Sequence, residues 1–383
     1  MDNRVSLAAC GSYEEAEVEA ALRSVLDPIG GLDFVKPGMR VAVKLNLVSA
    51  MKPETAATVH PAVVCALTKL LRERGAEVVL GDSPGGLFNA AHLNRVYEVC
   101  GMRAAEAAGA ELNADYSQIE AEFPEGAVAR QFSYTAWLSK ADAVIDLCKL
   151  KTHGMMGLTC AVKNFFGSIP GTQKPEYHYR YPKTADFSNV LVDLYEYTKP
   201  VLCLCDAVIG MEGNGPTQGS PRPIGCLLAS KNGHALDLTA AGLIGLSPDE
   251  VPTLQAAIRR GLVPDSEAGL RFFGDPGAFR VPDFRTVPSQ ASVFFLALGD
   301  GPLGKAADRI GKRILTPFPK LDPASCVGCG KCAQICPAKA ITMKDKHPHI
   351  ARNRCIHCFC CQEFCPKGAM RVGRHLLMRV LGK

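Results

Sequence analysis

Arg40-Val41-Ala42-Val43-Lys44-Leu45 is followed, after a connection, by residues 61–74 and then by Glu77-Val78-Val79-Leu80. The first and last pieces are short apolar runs rich in β-branched residues and read as strands. The piece between reads as a helix, with Pro61 suited to its first turn and Gly75 to its stop. Strands without internal polar alternation, separated by helices, indicate a parallel sheet covered on both faces. The same pattern extends in both directions. Residues 143–150, 200–209 and 225–230 read as strands, and 89–108, 186–197, 234–243 and 248–261 as helices. The expected fold class is α/β, a mostly parallel sheet with helices on both faces, over residues 1–300. Residues 292–298 are expected to add a late strand.

A chain of 383 residues is long for one small domain. Residues 301–320, rich in Gly, Pro, Lys and Arg, read as a linker. Residues 321–383 then form a second domain that ends in a short basic tail. Hydrophobic residues make up 47% and charged residues 21%, an ordinary globular balance.

Nine of the 17 cysteines crowd between Cys326 and Cys365. Cys326-Val327-Gly328-Cys329-Gly330-Lys331-Cys332-Ala333-Gln334-Ile335-Cys336-Pro337 recurs 29 residues later as Cys355-Ile356-His357-Cys358-Phe359-Cys360-Cys361-Gln362-Glu363-Phe364-Cys365-Pro366. Three cysteines at two-residue gaps let one tight loop wrap three corners of a cubane, and a Cys-Pro follows each time. Structural zinc takes paired knuckles separated by longer gaps, so this register argues against zinc. The segment resembles the bacterial two-[4Fe–4S] ferredoxins, a small α+β fold in which the fourth cysteine of each run ligates the other cluster. The expected ligands are Cys326, Cys329, Cys332 and Cys365 for one cluster, and Cys355, Cys358, Cys361 and Cys336 for the second. Cys360 aligns with Lys331 and is surplus.

Residues 321–383 carry 11 Lys+Arg against 3 Asp+Glu, and the remainder carries 32 against 35. Eight cluster thiolates and two [4Fe–4S]²⁺ cores reduce the module's charge to about +4, so the basic tail is not read as a nucleic-acid surface. No stretch has the roughly 18 uncharged apolar residues that span a bilayer. Leu7-Ala8-Ala9-Cys10 resembles a lipoprotein cleavage box, but Asp2 and Arg4 leave no apolar run before it. The remaining eight cysteines lie scattered in apolar stretches, as expected of reduced thiols in a cytoplasmic protein.

In open α/β sheets, ligands bind beyond the carboxyl ends of strands. Lys44 and Asn46 share a face at one such end, and Lys149, Lys151 and His153 repeat that geometry at another. With Lys163, Asn164 and His60 they make a candidate positive pocket for a carboxylate or phosphate. Lys151, His153, Lys163 and Lys44 are the candidate catalytic groups, because a buried lysine with a lowered pKa can donate a proton. Asn46, His60, Lys149, Asn164, Asn214 and Gly215 are the candidate substrate contacts. The last two sit in the Gly-rich stretch Glu212-Gly213-Asn214-Gly215-Pro216-Thr217-Gln218-Gly219, which fits neither a dinucleotide fingerprint nor a Walker A loop. Tyr177-His178-Tyr179-Arg180-Tyr181 is a candidate substrate lid. Cys148 and Cys160 are candidates for a reactive thiol or a further metal centre.

The stretches Val43-Lys44-Leu45-Asn46-Leu47, Thr58-Val59-His60-Pro61, Gly81-Asp82-Ser83-Pro84-Gly85, Lys149-Leu150-Lys151-Thr152-His153, Val162-Lys163-Asn164-Phe165-Phe166-Gly167 and Asp206-Ala207-Val208-Ile209-Gly210-Met211-Glu212-Gly213-Asn214-Gly215-Pro216 are similar to the DUF362 family. That resemblance implies a fold and a site, not a reaction. The leading expectation is a reductase passing electrons through two [4Fe–4S] clusters to a small anionic substrate on the α/β domain, since no NAD or flavin fingerprint is evident. A non-catalytic electron-transfer or adaptor protein and a metallocluster maturation factor are the alternatives. The expected electron donor is a ferredoxin- or flavodoxin-type carrier, and homodimerisation is left open.

Overall fold

The computed structural model describes residues 2–287 and 316–373. The strand expected at 292–298, most of the 301–320 linker and the basic tail lie outside the described residues.

The chain begins with β1 (Arg4–Ala9), α1 (Glu15–Leu26), β2 (Arg40–Leu45), α2 (Pro61–Glu73), β3 (Glu77–Gly81), α3 (Ala90–Val99), α4 (Ala104–Ala107) and β4 (Ala110–Leu112). A hairpin of β5 (Gln118–Glu122) and β6 (Gln131–Thr135) follows, then α5 (Ala136–Ser139), β7 (Ala143–His153), β8 (Gly157–Thr159), α6 (Ala161–Asn164), α7 (Lys174–Arg180) and α8 (Thr184–Thr198). β9 (Leu202–Glu212), β10 (Ser220–Ser230), α9 (Gly233–Leu243), α10 (Pro252–Arg259) and β11 (Arg271–Phe273) complete this part.

The central sheet runs β11-β1-β10-β9-β7-β2-β3-β4, with β8 turned back against β7. It is parallel from β9 to β4 and between β1 and β11, while β10 is antiparallel to both its neighbours. Alternate residues of β2 serve opposite layers. Val41, Val43 and Leu45 pack with Leu22 of α1 and Leu67 of α2. Ala42 joins the layer that holds Phe187 and Leu191 of α8 and Leu236 of α9. α2 starts where the sequence indicates: Pro61 occupies its first turn, and the His60 ring accepts the Ala62 N–H through Nδ1 at 3.2 Å. It stops before Gly75, whose φ of +82° suits glycine.

Several expected boundaries shift. The helix read over 89–108 breaks into α3 and α4 around Gly101, at φ +73°. The helix read over 248–261 becomes a 3₁₀ turn and then α10, because Pro252 opens a new first turn. β7 and β9 run 11 residues each, past the ends read from the sequence. β10 begins at Ser220 and tolerates Pro221 and Pro223 with a register shift before Cys226. The 177–181 string is not a loop: most of it is α7, with Tyr177 and His178 buried.

In the C-terminal module, β12 (Phe318–Leu321) pairs with β15 (Met370–Gly373), and β13 (Ile341–Lys344) with β14 (His347–Ile350), all antiparallel. Each cysteine run leads into a four-residue helix, Lys331–Gln334 or Cys360–Glu363. The repeat extends to the backbone. Gly328 and Gly330 have φ of +68° and +73°, and their counterparts His357 and Phe359 have +56° and +62°.

Candidate functional site

β7 delivers Lys149, Lys151 and His153 from one buried strand, and alternation sends all three to the same side. Lys149 Nζ sits 2.7 Å from Asp206 Oδ2 and 2.8 Å from the Tyr13 hydroxyl. Tyr13 stacks on His60 at 3.6 Å, and the His60 backbone N–H donates to Asp206. On the opposite side of the sheet, Lys44 Nζ pairs with Asp82 Oδ1 at 2.7 Å and reaches Asn164 Oδ1 at 3.2 Å. The structure thus places Lys44, Lys149 and His60 in two carboxylate-paired groups that clamp neighbouring strands together. Asn164 bridges them, accepting from Asn46 and donating to Asp146 and to the Lys44 carbonyl.

Three of the expected residues lie together at the strand end. Lys151 Nζ donates to Asn46 Oδ1 at 2.7 Å and to the Ala57 carbonyl at 2.5 Å, with no carboxylate in contact among the described residues. Burial, with the Lys163 ammonium second, brings it down to about 7. The His153 ring accepts the Met155 and Met156 N–H groups at Nδ1, so its proton sits on Nε2. Burial and then the Lys163 charge hold His153 at about 4, a neutral imidazole at physiological pH. Lys163, on α6, lies over the Phe166 ring at 5.7 Å.

Two further cationic or titratable groups join them: Lys174, which the sequence reading did not select, and His178, which it placed only in the candidate lid. Lys174 covers the same Phe166 ring at 5.7 Å and is lowered to about 7 by burial. His178 stacks on Phe187 at 4.3 Å, is pushed down to about 3 by burial, and leaves its buried Nδ1 without a partner. The only signal for His178 was its place in the Tyr-His-Tyr string, and Lys174 gave none.

The C-terminal module packs over this group of residues. Glu363, from the Cys360–Glu363 helix, brings Oε1 to 3.0 Å from His153 Nε2. Burial alone would raise its carboxyl, but the His153 contact and the Lys163 charge outweigh that and hold it at about 2. Beside it, the buried Gln362 amide donates to the Asn214 and Gly215 carbonyls at 2.8 and 3.1 Å. The Val372 N–H donates to Asn214 Oδ1 at 3.0 Å, and Gln218 Nε2 to the Cys365 carbonyl at 3.2 Å. Asn214 and Gly215 therefore hold the module in place. Gly85 lets the Phe364 ring approach so closely that an added Cβ would lie 2.6 Å from its Cζ.

Within the module, Cys326, Cys329, Cys332 and Cys365 line one cavity, walled by Val327, Met343, Pro348 and Met370. Cys361 is pushed well up by burial and then by the thiols of Cys358, Cys355 and Cys336 around it. The cavity brings Cys365 of the second run to three cysteines of the first, and Cys336 and Cys332 of the first run lie near Cys361. All-thiol donor sets with no carboxylate or imidazole suit iron–sulfur clusters, and the residues fit that group. Cys360 is buried beside Cys358 and faces Lys163.

Residues 41–242, more than half of the chain, match the family model described as a domain of unknown function, DUF362. The chain belongs to the DUF362 family. Residues 318–366 of this DUF362 protein match a 4Fe-4S dicluster domain, which gives it iron–sulfur cluster binding and an electron-transfer role. The thylakoid-associated protein sll1697 of Synechocystis is 37% identical over 279 residues, covering 69% of this chain and 81% of that protein. Among solved structures, the lactate racemase apoprotein of Thermoanaerobacterium thermosaccharolyticum aligns with a TM-score of 0.36 at 11% identity, over 54% of this chain and 50% of that one. A Thermotoga maritima protein aligns with a TM-score of 0.34 at 12% identity, over 55% and 53%. The chain spans about half the length of each of these two structures. No described helix is long and apolar enough to cross a membrane.

Proposed function

We propose that this DUF362 protein is a cytoplasmic reductase, with an α/β domain over residues 1–300 that binds a small anionic substrate and a domain over 321–383 that binds two [4Fe–4S] clusters. The observation that carries this reading is the seating of the Cys360–Glu363 helix, which begins beside the ligand Cys358, directly on His153 and Lys163. When bound, the two clusters supply electrons singly, two in all, from a ferredoxin- or flavodoxin-type carrier.

The chain's own residues then have separable tasks. Lys163 and Lys174 hold the substrate's anionic group, since among the described residues neither is paired with a carboxylate as Lys44 and Lys149 are. The Glu363 carboxylate already marks a position among these residues where negative charge is stabilised. Lys151, poised near 7, delivers a proton at its Nζ. His153, its proton fixed on Nε2, donates a hydrogen bond to an oxygen placed where Glu363 now lies. Substrate enters along the seam between the Gly213–Gln218 loop and the cluster helix, because the module covers these residues while the two are in contact.

The test is reoxidation of dithionite-reduced protein by a panel of small carboxylates and phosphate esters under argon. A compound that reoxidises the wild type, and fails with Lys163→Gln while iron stays at about eight per chain, supports the reading. Equal reoxidation by Lys163→Gln and wild type overturns it, as does zinc in place of iron.

A further inference from the structure

On the α9 side of the sheet three thiols converge. Cys148 of β7 and Cys205 of β9 are register partners in the parallel pair, and Cys160, at the start of α6, comes over both. Cys160 Sγ lies 3.5 Å from Cys148 Sγ and 3.5 Å from Cys205 Sγ, and all three sulfurs fall within 4.8 Å of one another. None is more than 1% exposed. We propose that Cys148, Cys160 and Cys205 form a closed three-thiolate site for a single Cu(I) ion, separate from the ferredoxin module.

The spacing fits one ion. Three sulfurs in a plane around a metal at about 2.3 Å lie about 4.0 Å apart, so the two short edges need to open by only about 0.5 Å. The corners of an iron–sulfur cubane, each ligated through its own iron, stand much farther apart than these sulfurs. A third cubane therefore does not fit, whereas one ion does. Soft thiolates select Cu(I) or zinc, and the coordination number decides between them. Structural zinc takes four ligands; beyond the three thiols, Asp237 comes within hydrogen-bond reach of Cys160, but each of its oxygens is bonded to a backbone N–H. Cys203 Sγ is turned to the Tyr195 hydroxyl at 3.5 Å. Asp237 accepts the Ala161 and Val162 N–H groups at 2.6 and 3.2 Å, which pins the turn that carries Cys160.

Binding exchanges the ligating thiols' protons for the metal and releases them to solvent. No electrons move, and no oxidant is needed.

The test uses full-length protein purified under argon with its iron in place. It is given one equivalent of Cu(I), passed over a desalting column in bicinchoninate, and analysed by plasma mass spectrometry and copper X-ray absorption. The expected result is one retained copper per chain with three sulfur neighbours at about 2.3 Å and unchanged iron. Cys160→Ser should lose the copper and keep the iron, and Cys203→Ser should keep both. Copper retained by a folded Cys160→Ser, or copper gained only at the expense of iron, overturns the site. One zinc per chain with a fourth ligand overturns the choice of ion. Should Cys160→Ser fail to fold, the wild-type absorption edge and iron count decide alone: a two- or four-coordinate shell, or lost iron, refutes the proposal.

Discussion

Replacing Gln362 with Leu tests how firmly the cluster helix is seated. The wild-type amide makes two hydrogen bonds, at 2.8 and 3.1 Å, to the carbonyls of Asn214 and Gly215, and the side chain is fully buried. Leucine fills similar space and leaves both carbonyls facing a side chain that cannot donate. Two net hydrogen bonds at about 1 kcal/mol each, plus the cost of a stranded buried carbonyl, come to about 2–4 kcal/mol. That amounts to roughly a 30- to 700-fold rise in the population of the opened seam. The Val372 amide, bonded across the seam to Asn214 Oδ1, is the natural reporter. Its hydrogen exchange in the iron-loaded protein should accelerate by that factor, while amides of β2 and β3 keep their wild-type rates. Unchanged exchange at Val372 in a variant with normal iron content would refute the argument that this amide holds the module down.

Three other outcomes follow from the geometry. Gly85→Val places a branched side chain where Phe364 now packs, with its Cβ 2.6 Å from the ring, so hydrogen exchange at the Val372 amide should quicken while iron is retained. Lys151 binds its proton only below about 7 in the folded chain but near 10.5 when unfolded, so between those values the unfolded state binds more protons and stability rises with pH. Lys151→Met should flatten that rise, by up to about 1.4 kcal/mol per pH unit, in urea titrations at pH 7.5 and 9. Asp193, fully buried, accepts the Ala127, Val128 and Ala129 N–H groups and pairs with Arg260 at 2.8 Å. Asp193→Asn should therefore cost about 3 kcal/mol in the same titration.

Local pattern was sufficient for much of this structure. The β2–α2–β3 unit is legible because its strands and caps are written between Arg40 and Gly81. Both cysteine groups are legible because ligand spacing is a local constraint. Lys151 and His153 could be selected because β7 ends in an alternating polar triplet. What escaped was set by distant partners. Lys44 and Lys149 look in sequence like Lys151, yet Asp82 and Asp206 pair with the first two and, among the described residues, no carboxylate contacts the third. Glu363 sits inside the cluster motif, where it reads as a spacer, and only the docked module shows that it meets His153. Lys174 and His178 acquire their surroundings from Phe166 and Phe187, which no periodicity connects to them. β1 and α1 were not read at all, because a strand paired to residues 226–229 carries no local mark of that pairing.

The position of β1 has a consequence for biosynthesis. Arg4–Ala9 leaves the ribosome long before its sheet partners, since in the finished sheet it lies between β10 and β11, paired to Cys226–Ala229 and to Arg271–Phe273. At about 5–20 residues per second, its neighbours follow only after roughly 10–50 s of further translation. Throughout that interval Val5, Leu7 and Ala8, all buried in the end, remain on an unpaired strand. The nascent chain can complete β2, β3, β7 and β9 as a parallel core well before this strand finds its place. A holdase that recognises short apolar strands should therefore bind the Arg4–Ala9 segment of ribosome-stalled chains ending near residue 215, and release it once β10 and β11 have been made.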